Sequence, residues 1–280
     1  MAVTQGIFWY GCNMTRHGEM IRIAARLLEA VGMQAAPRGG PGHCCGSPKD
    51  ASARINEAMA RRTIEAFNAT KRETVVTWCP SCHMNMADSM TPVTPAEFDT
   101  VHVSEVVHAG LAILQPLLLN PVRRRVLLHT HHGFQARVPT NRLVAEILAT
   151  VPGLDLVETR LMVPGHMCSA IAGVPGALAD AHRATLAAMA ATGADTLCTI
   201  HHSCHREAVV LERQGVQVVN WMHILAESLG WPFDDRYKAL RNADNPATTL
   251  HKTELDAVGD VAFERLVQPE LRKPVPGSGR

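Results

Sequence analysis

The stretch Glu73-Thr-Val-Val-Thr-Trp-Cys-Pro-Ser-Cys-His83 decides the fold. A short run rich in β-branched residues reads as a buried strand, and it leads without a linker into a Cys-x-x-Cys pair where a helix should start. Residues 196–205, TLCTIHHSCH, repeat the pattern, so that 77–83 aligns with 199–205. Upstream, PGHCCGS at 41–47 aligns with PGHMCS at 164–169. The spacing agrees as well: Cys82 lies 37 residues beyond Cys45, and Cys204 lies 36 beyond Cys168. A looser third pair is VHVSEVVHAGL at 101–111 and VVNWMHILAESLG at 218–230. A period of about 120 residues marks a duplicated domain, not a solenoid.

The remaining elements fill in each copy. In the first, 6–10 (GIFWY) reads as a strand and 19–31 as an amphipathic helix stopped by Gly32. A glycine- and proline-rich loop spans 37–50, and a helix spans 51–68 with Asp50 as its cap. A strand at 100–103 and a helix at 104–118 close the copy. The second copy gives strands at 123–129, 154–161, 196–200 and 216–219, helices at 140–151, 175–192 and 221–229, and a loop at 163–169. Alternating strands and helices predict an α/β fold of two duplicated domains, residues 1–120 and 121–232, with mostly parallel sheets. Residues 233–280 are polar and proline-containing, and read as a tail with one or two short helices laid on a partner. In such sheets ligands sit beyond the carboxyl ends of the strands, which is where the Cys and His residues fall.

Composition narrows the function. The 280 residues include 27 Lys and Arg against 26 Asp and Glu, a net charge of +1, so the net basic field expected of a nucleic-acid binder is absent. Aromatic residues total 12, too few for base-stacking platforms. No window is apolar and long enough to span a membrane, and the first residues lack the pattern of a secretory leader. A cytoplasmic protein is expected, where thiols stay reduced. The 8 cysteines and 15 histidines then point to metal binding or redox chemistry.

Five cysteines lie in the first copy: Cys12, Cys44, Cys45, Cys79 and Cys82. Thiolates suit iron–sulfur clusters, zinc and copper(I). A four-thiolate zinc site usually carries two Cys-x-x-Cys-like pairs, and only one is present. Adjacent Cys44 and Cys45 diverge and are poorly placed to chelate one tetrahedral ion, but they can serve different irons of a cluster. Gly46 lets the backbone adopt positive φ there. No dinucleotide fingerprint occurs.

The pattern C-x31-CCG-x32-CxxC resembles the cysteine-rich CCG domain of the heterodisulfide reductase family, whose CCG-bearing subunits usually carry two such domains in tandem. The family also includes subunits of glycerol-3-phosphate dehydrogenase, lactate-utilisation proteins and sulfur-oxidising heterodisulfide-reductase-like complexes. The resemblance implies a non-cubane 4Fe–4S cluster on Cys12, Cys44, Cys45, Cys79 and Cys82. It also implies chemistry that makes or breaks S–S bonds, and partners that carry ferredoxin-like clusters and a flavin. The degenerate second copy favours the sulfur-oxidising branch, where a lipoyl carrier protein would deliver the sulfur. The alternative is an electron-relay subunit of a respiratory dehydrogenase of the glycerol-3-phosphate or lactate type.

The second motif departs from that pattern. Its Cys-Cys-Gly reads Met167-Cys168-Ser169, its CxxC reads His201-His202-Ser203-Cys204, and His131 or His132 replaces the lone cysteine. Cys168, Cys204, His201 and one of His131 or His132 can hold a histidine-ligated cluster or zinc. Otherwise Cys168 or Cys204 is a free thiol that handles substrate sulfur. His43 and His166 sit at equivalent positions beside the two loops, as candidates to hydrogen-bond cluster sulfur or substrate. Cys198, inside an apolar strand, reads as core.

Overall fold

The computed structural model describes residues 4–46, 52–250 and 252–272. Two four-stranded sheets form, and every strand pair is parallel. The first has the order β2-β1-β3-β4, built from β1 (Thr4–Gly11), β2 (Met33–Gly39), β3 (Thr74–Thr77) and β4 (Asp99–His102). The second repeats that order as β6-β5-β7-β8, built from β5 (Arg124–His129), β6 (Leu154–Leu156), β7 (Thr196–Thr199) and β8 (Gln217–Asn220). Central strands flanked on both sides need continuous apolar runs. Accordingly Ile7–Trp9, Val75 and Val76, Val126 and Leu127, and Leu197 and Cys198 are all buried. The α/β class with parallel sheets and the core position of Cys198 are as the sequence predicts.

In each sheet the chain moves outward from the central strand on one side, then returns to pair on its other side. The reversal falls between β1 and β3, and again between β5 and β7. A crevice opens at such a switch point beyond the strand ends. Cys12 follows β1 and Cys79 follows β3, while His131 follows β5 and His201 follows β7.

The halves pair crosswise. The first helix of one half, Gly18–Ala30, packs on the last helix of the other, Trp221–Ser228. Likewise Val103–Ala109 packs on Thr140–Leu148. One core therefore runs through both halves, from Phe8, Leu27 and Val107 to Val144, Ile147 and Leu225. The rings of Trp78 and Trp221 stack within it, 6.2 Å apart.

Each last helix starts with the same device. Asn220 accepts from the Met222 N–H and donates from Nδ2 to the carbonyls of Thr199 and Ile200. In the first half His102 does both jobs: Nδ1 accepts from the Ser104 N–H and Nε2–H donates to the Trp78 carbonyl. Burial pushes the His102 pKa down to about 3. The imidazole must therefore stay neutral in the fold, against about 6.5 when unfolded. Its depressed pKa means its contribution is complete above about pH 6.5 and is lost as pH falls toward 3. Expected for His102→Asn, which copies the other half, is a smaller loss of stability between pH 6.5 and 4.5. The difference should approach about 1.4 kcal/mol per pH unit, read from urea midpoints.

Several elements differ from the sequence reading. β2 is not among the expected strands: it covers 33–36, which the sequence reading leaves unassigned, and ends inside the loop read over 37–50, with Pro37 opposite Phe8. Proline is tolerated because β2 is an edge strand. β6 has only three residues, and the helix expected over 104–118 breaks at Gly110. The expected Asp50 cap lies outside the described residues. The helix itself is Ala53–Asn68, with Ser52 at its N-cap. The tail is more helical than expected and folds back on this chain: Tyr237 and Leu271 are buried against Val209 and Leu211, and Arg241 donates to the Leu271 carbonyl. Of the three consecutive arginines 123–125 at the entry to β5, Arg124 pairs with Glu227 and Arg125 with Asp155. Among the described residues no helix is long and apolar enough to cross a membrane.

Candidate metal centres at the strand ends

Backbone geometry sets the first centre. β1 ends at Gly11 with φ +75°, and a Cβ there would meet Cys82 Sγ at 3.0 Å. Glycine thus turns the chain outward to Cys12 while leaving room for Cys82. The Cys44–Cys45 loop is pinned from two sides. Trp9 Nε1 donates to the His43 carbonyl at 2.8 Å, and Thr63 Oγ1 donates to the Cys44 carbonyl at 3.2 Å. Cys79 caps the helix Pro80–Asn85, which carries Cys82 on its first turn.

Cys12, Cys45, Cys79 and Cys82 line a cavity of about 260 Å³. Cys44 Sγ lies 3.5 Å from Cys12 Sγ. The opposite wall belongs to the second half: His166, Met167, Ser169 and Ala170. Ser81 and His166 join the walls, Oγ to Nε2 at 2.8 Å. Cys12, Asn13, Ser81, His166 and Ser169 are only half-buried and Ala170 is exposed, so the cavity is reached from the surface. Asn85 Nδ2 donates to Cys45 Sγ at 3.6 Å.

Crowded sulfurs cannot all carry negative charge, and here they share protons. A hydrogen bond to Cys44 and burial drive the Cys12 thiol up, and the bonds from Cys12 and Cys45 pull Cys44 down. Bonds to Cys45 and Cys79 push Cys82 up, and the bond from Cys82 holds Cys79 down. A cationic group in the cavity would take the place of those protons. Four of the five sulfurs line a common space, and among the described residues the compact ligand sets do not include them. That arrangement suits a multi-iron cluster better than one ion.

The second centre is compact. Nε2 of His129, Nε2 of His131 and the sulfurs of Cys168 and Cys204 all lie within 4.8 Å of one another, and all four residues are buried. His129 Nε2 is 3.1 Å from Cys168 Sγ, and His131 Nε2 is 3.1 Å from Cys204 Sγ. His131 Nε2 is 3.6 Å from Cys168 Sγ. Ligand atoms around one tetrahedral zinc, bound at about 2.0–2.3 Å, stand roughly this far apart. His131 Nδ1 donates to the Pro164 carbonyl, turning the Nε2 lone pair toward the sulfurs. Burial pushes the Cys204 thiol up, but hydrogen bonds and charge from Cys168, His131 and His129 outweigh it and hold the group as thiolate. Burial also opposes charge on His131, and the neighbouring Cys204 thiolate reverses this, leaving its pKa raised.

The remaining candidates separate cleanly. His131 joins the set, and His132 is exposed and lies outside it. His201 is buried with both ring nitrogens unpartnered, outside the compact four. Cys168 and Cys204 are enclosed and meet each other and two imidazoles, so neither is an open thiol. His43 stacks on Phe67 at 5.6 Å and lies outside the cavity lining, whereas His166 belongs to it. His129 is the member of this set that sequence reasoning does not reach. Its signal is a spacing of two: His129 ends β5, and His131, in an isolated bridge to Val163, falls beside it, whereas His132 does not.

Residues 7–87 match the family model for a cysteine-rich domain, CCG. No curated protein matches the chain. Among solved structures, allantoin racemase from Pseudomonas fluorescens is 13% identical, with 84% of this chain and 96% of that one covered and a TM-score of 0.31. Glutamate racemase from Aquifex pyrophilus is 10% identical, with 81% and 82% covered and a TM-score of 0.33. Likeness at this level carries no argument about fold or chemistry.

Proposed function

We propose, taking the cysteine-rich CCG domain at residues 7–87 as the premise, that the chain is an iron–sulfur subunit of a heterodisulfide-reductase-like complex. It makes or breaks S–S bonds, acting in sulfur oxidation, with a non-cubane 4Fe–4S cluster on Cys12, Cys44, Cys45, Cys79 and Cys82. The division into domains 1–120 and 121–232 belongs to the same proposal. The observation that carries the reading is the cavity: four of the five thiols face a surface-reachable space closed by a second wall. A relay centre would need no such space. When bound, the cluster supplies electron transfer in single steps and an iron that a sulfur can approach.

This chain's own residues would do the rest. His166 and Ser81 lie across the mouth and can take the proton from an incoming thiol. Asn85 offers an N–H to Cys45 sulfur, a contact that tunes a cluster's potential. In the oxidising direction two thiols give one disulfide, two protons and two electrons. The electrons leave to the ferredoxin-like and flavoprotein subunits, and a lipoyl carrier would supply the thiols. The second centre takes one zinc ion on His129, His131, Cys168 and Cys204, and it holds the loop that forms the second wall.

The test is spectroscopic. The chain, purified without oxygen and loaded, is expected to show paramagnetic resonance lines that shift on adding dihydrolipoamide or its persulfide. Iron and sulfide without any such shift would favour the relay role, and zinc alone would remove the redox reading altogether.

A further inference from the structure

A third cluster of ligand-type side chains lies apart from both sulfur centres, where the two halves and the C-terminal helices meet. His17 precedes the helix Gly18–Ala30, and Glu19 is on that helix's first turn. His205 comes from the helix His202–Ala208, and Asp235 caps the helix Arg236–Asn242. His223 sits on the first turn of Trp221–Ser228. Ligand atoms of His17, His205 and Asp235 lie within 4.8 Å of one another, as do those of Glu19, His223 and Asp235.

We propose that this cluster binds one divalent cation of the zinc or iron(II) class, held by His17, His205 and Asp235 with Glu19 completing the set. Both ring nitrogens of His17, Oε1 of Glu19 and Nε2 of His223 are buried without a hydrogen-bond partner, and His17 is 0% exposed. Buried polar atoms are rarely left so, and four in one place mark a missing partner. His205 Nε2 is 2.8 Å from Asp235 Oδ2, and His17 Nδ1 is 3.8 Å from Glu19 Oε1. An ion bound at about 2.1 Å separates its ligands by roughly 3.0–3.5 Å, so small shifts suffice for His17, His205 and Asp235, while Glu19, grouped with Asp235 and not with His205, moves further to join them. Imidazole and carboxylate without thiolate suit zinc or iron(II).

The surroundings are arranged for it. Asp235 Oδ1 accepts from the Lys238 N–H, leaving Oδ2 for the centre. His223 Nδ1 accepts from the Asn220 N–H, so its Nε2–H points at Glu19 Oε1, 3.6 Å away, as a positioning group. Charge agrees: two carboxylates and a dication sum to zero. Without the ion, burial and the neighbouring Asp235 push Glu19 up to about 7. The ion would clasp the first half, through His17 and Glu19, to the second half and the helices after Asp235.

The test uses the full chain equilibrated with zinc, crystallised, and measured either side of the zinc and iron absorption edges. Expected is an anomalous peak between His17, His205 and Asp235. In solution, His17→Gln should lose one equivalent of zinc or iron while acid-labile sulfide stays unchanged. Cys168→Ser should leave that equivalent in place. A wild-type map without the peak overturns the proposal, whether or not the variant folds. So does a folded His17→Gln protein with parental metal content. No residue is shared with the sulfur centres, so failure here leaves the proposed function untouched, and the reverse.

Discussion

Cys82→Ser protein, purified without oxygen, is expected to keep less than roughly a tenth of the parent's iron and acid-labile sulfide. Cys82 is the thiol whose sulfur faces Cys45, Cys79 and the turn at Gly11. It is buried on a short helix, so no neighbouring side chain can swing in to replace it. Serine keeps the shape but is a harder, more basic ligand than thiolate. The fold should survive, because the substitution changes one atom at a cavity wall and leaves the common core intact. Iron and sulfide assays beside far-ultraviolet dichroism give the answer. Full iron retention in Cys82→Ser would mean that the cluster does not use this cysteine. Cys198→Ser is the control: that residue is buried in β7 away from both centres and should keep its iron.

The second large effect concerns Cys204→Ser. It should remove one equivalent of zinc and lower the stability of the parent chain by several kcal/mol. Zinc binding to small domains contributes on the order of 10 kcal/mol, and a chain with a large core of its own shows part of that. The variant and the chelated parent should then melt together, since both lack the same ion. An undiminished zinc content would show that His129, His131 and Cys168 do not need the fourth ligand. A midpoint that falls with zinc still bound would mean that Cys204 acts by packing alone. A consequence for the first centre is also measurable: thiol binding there should weaken, because residues 166–170 lean on Cys168.

Much of this arrangement is legible in the sequence. β1, β3, β5 and β7 announce themselves because central parallel strands must be apolar throughout, and each leads directly into Cys or His. The repeat locates both centres without any account of packing. Edge strands are harder. β2 buries only Met33 and carries Pro37 and Arg38, so nothing in its pattern distinguishes it from a loop. The second centre's ligands are half visible. Aligning the two copies places Cys168 and Cys204, but cannot choose between His131 and His132, and passes over His129, whose counterpart position in the first half holds no ligand. The choice belongs to the spacing of two from His129, a local rule. The cluster at His17 is beyond reach, because its five residues are drawn from both halves and the C-terminal segment. No spacing encodes their meeting.

The cavity makes the two halves unequal partners in one space. Residues 166–170 stand opposite the thiols of residues 12–82, so the second copy closes a space whose chemistry belongs to the first. A second half that carries methionine and histidine where the first carries cysteine could look dispensable. Here deletion would strip one side from the cavity and leave the thiols facing bulk water. The second half is therefore needed for the cavity whatever its own ligand-type residues hold. The same logic says where a shortened chain would fail: any break before residue 170 leaves the cavity open on that side.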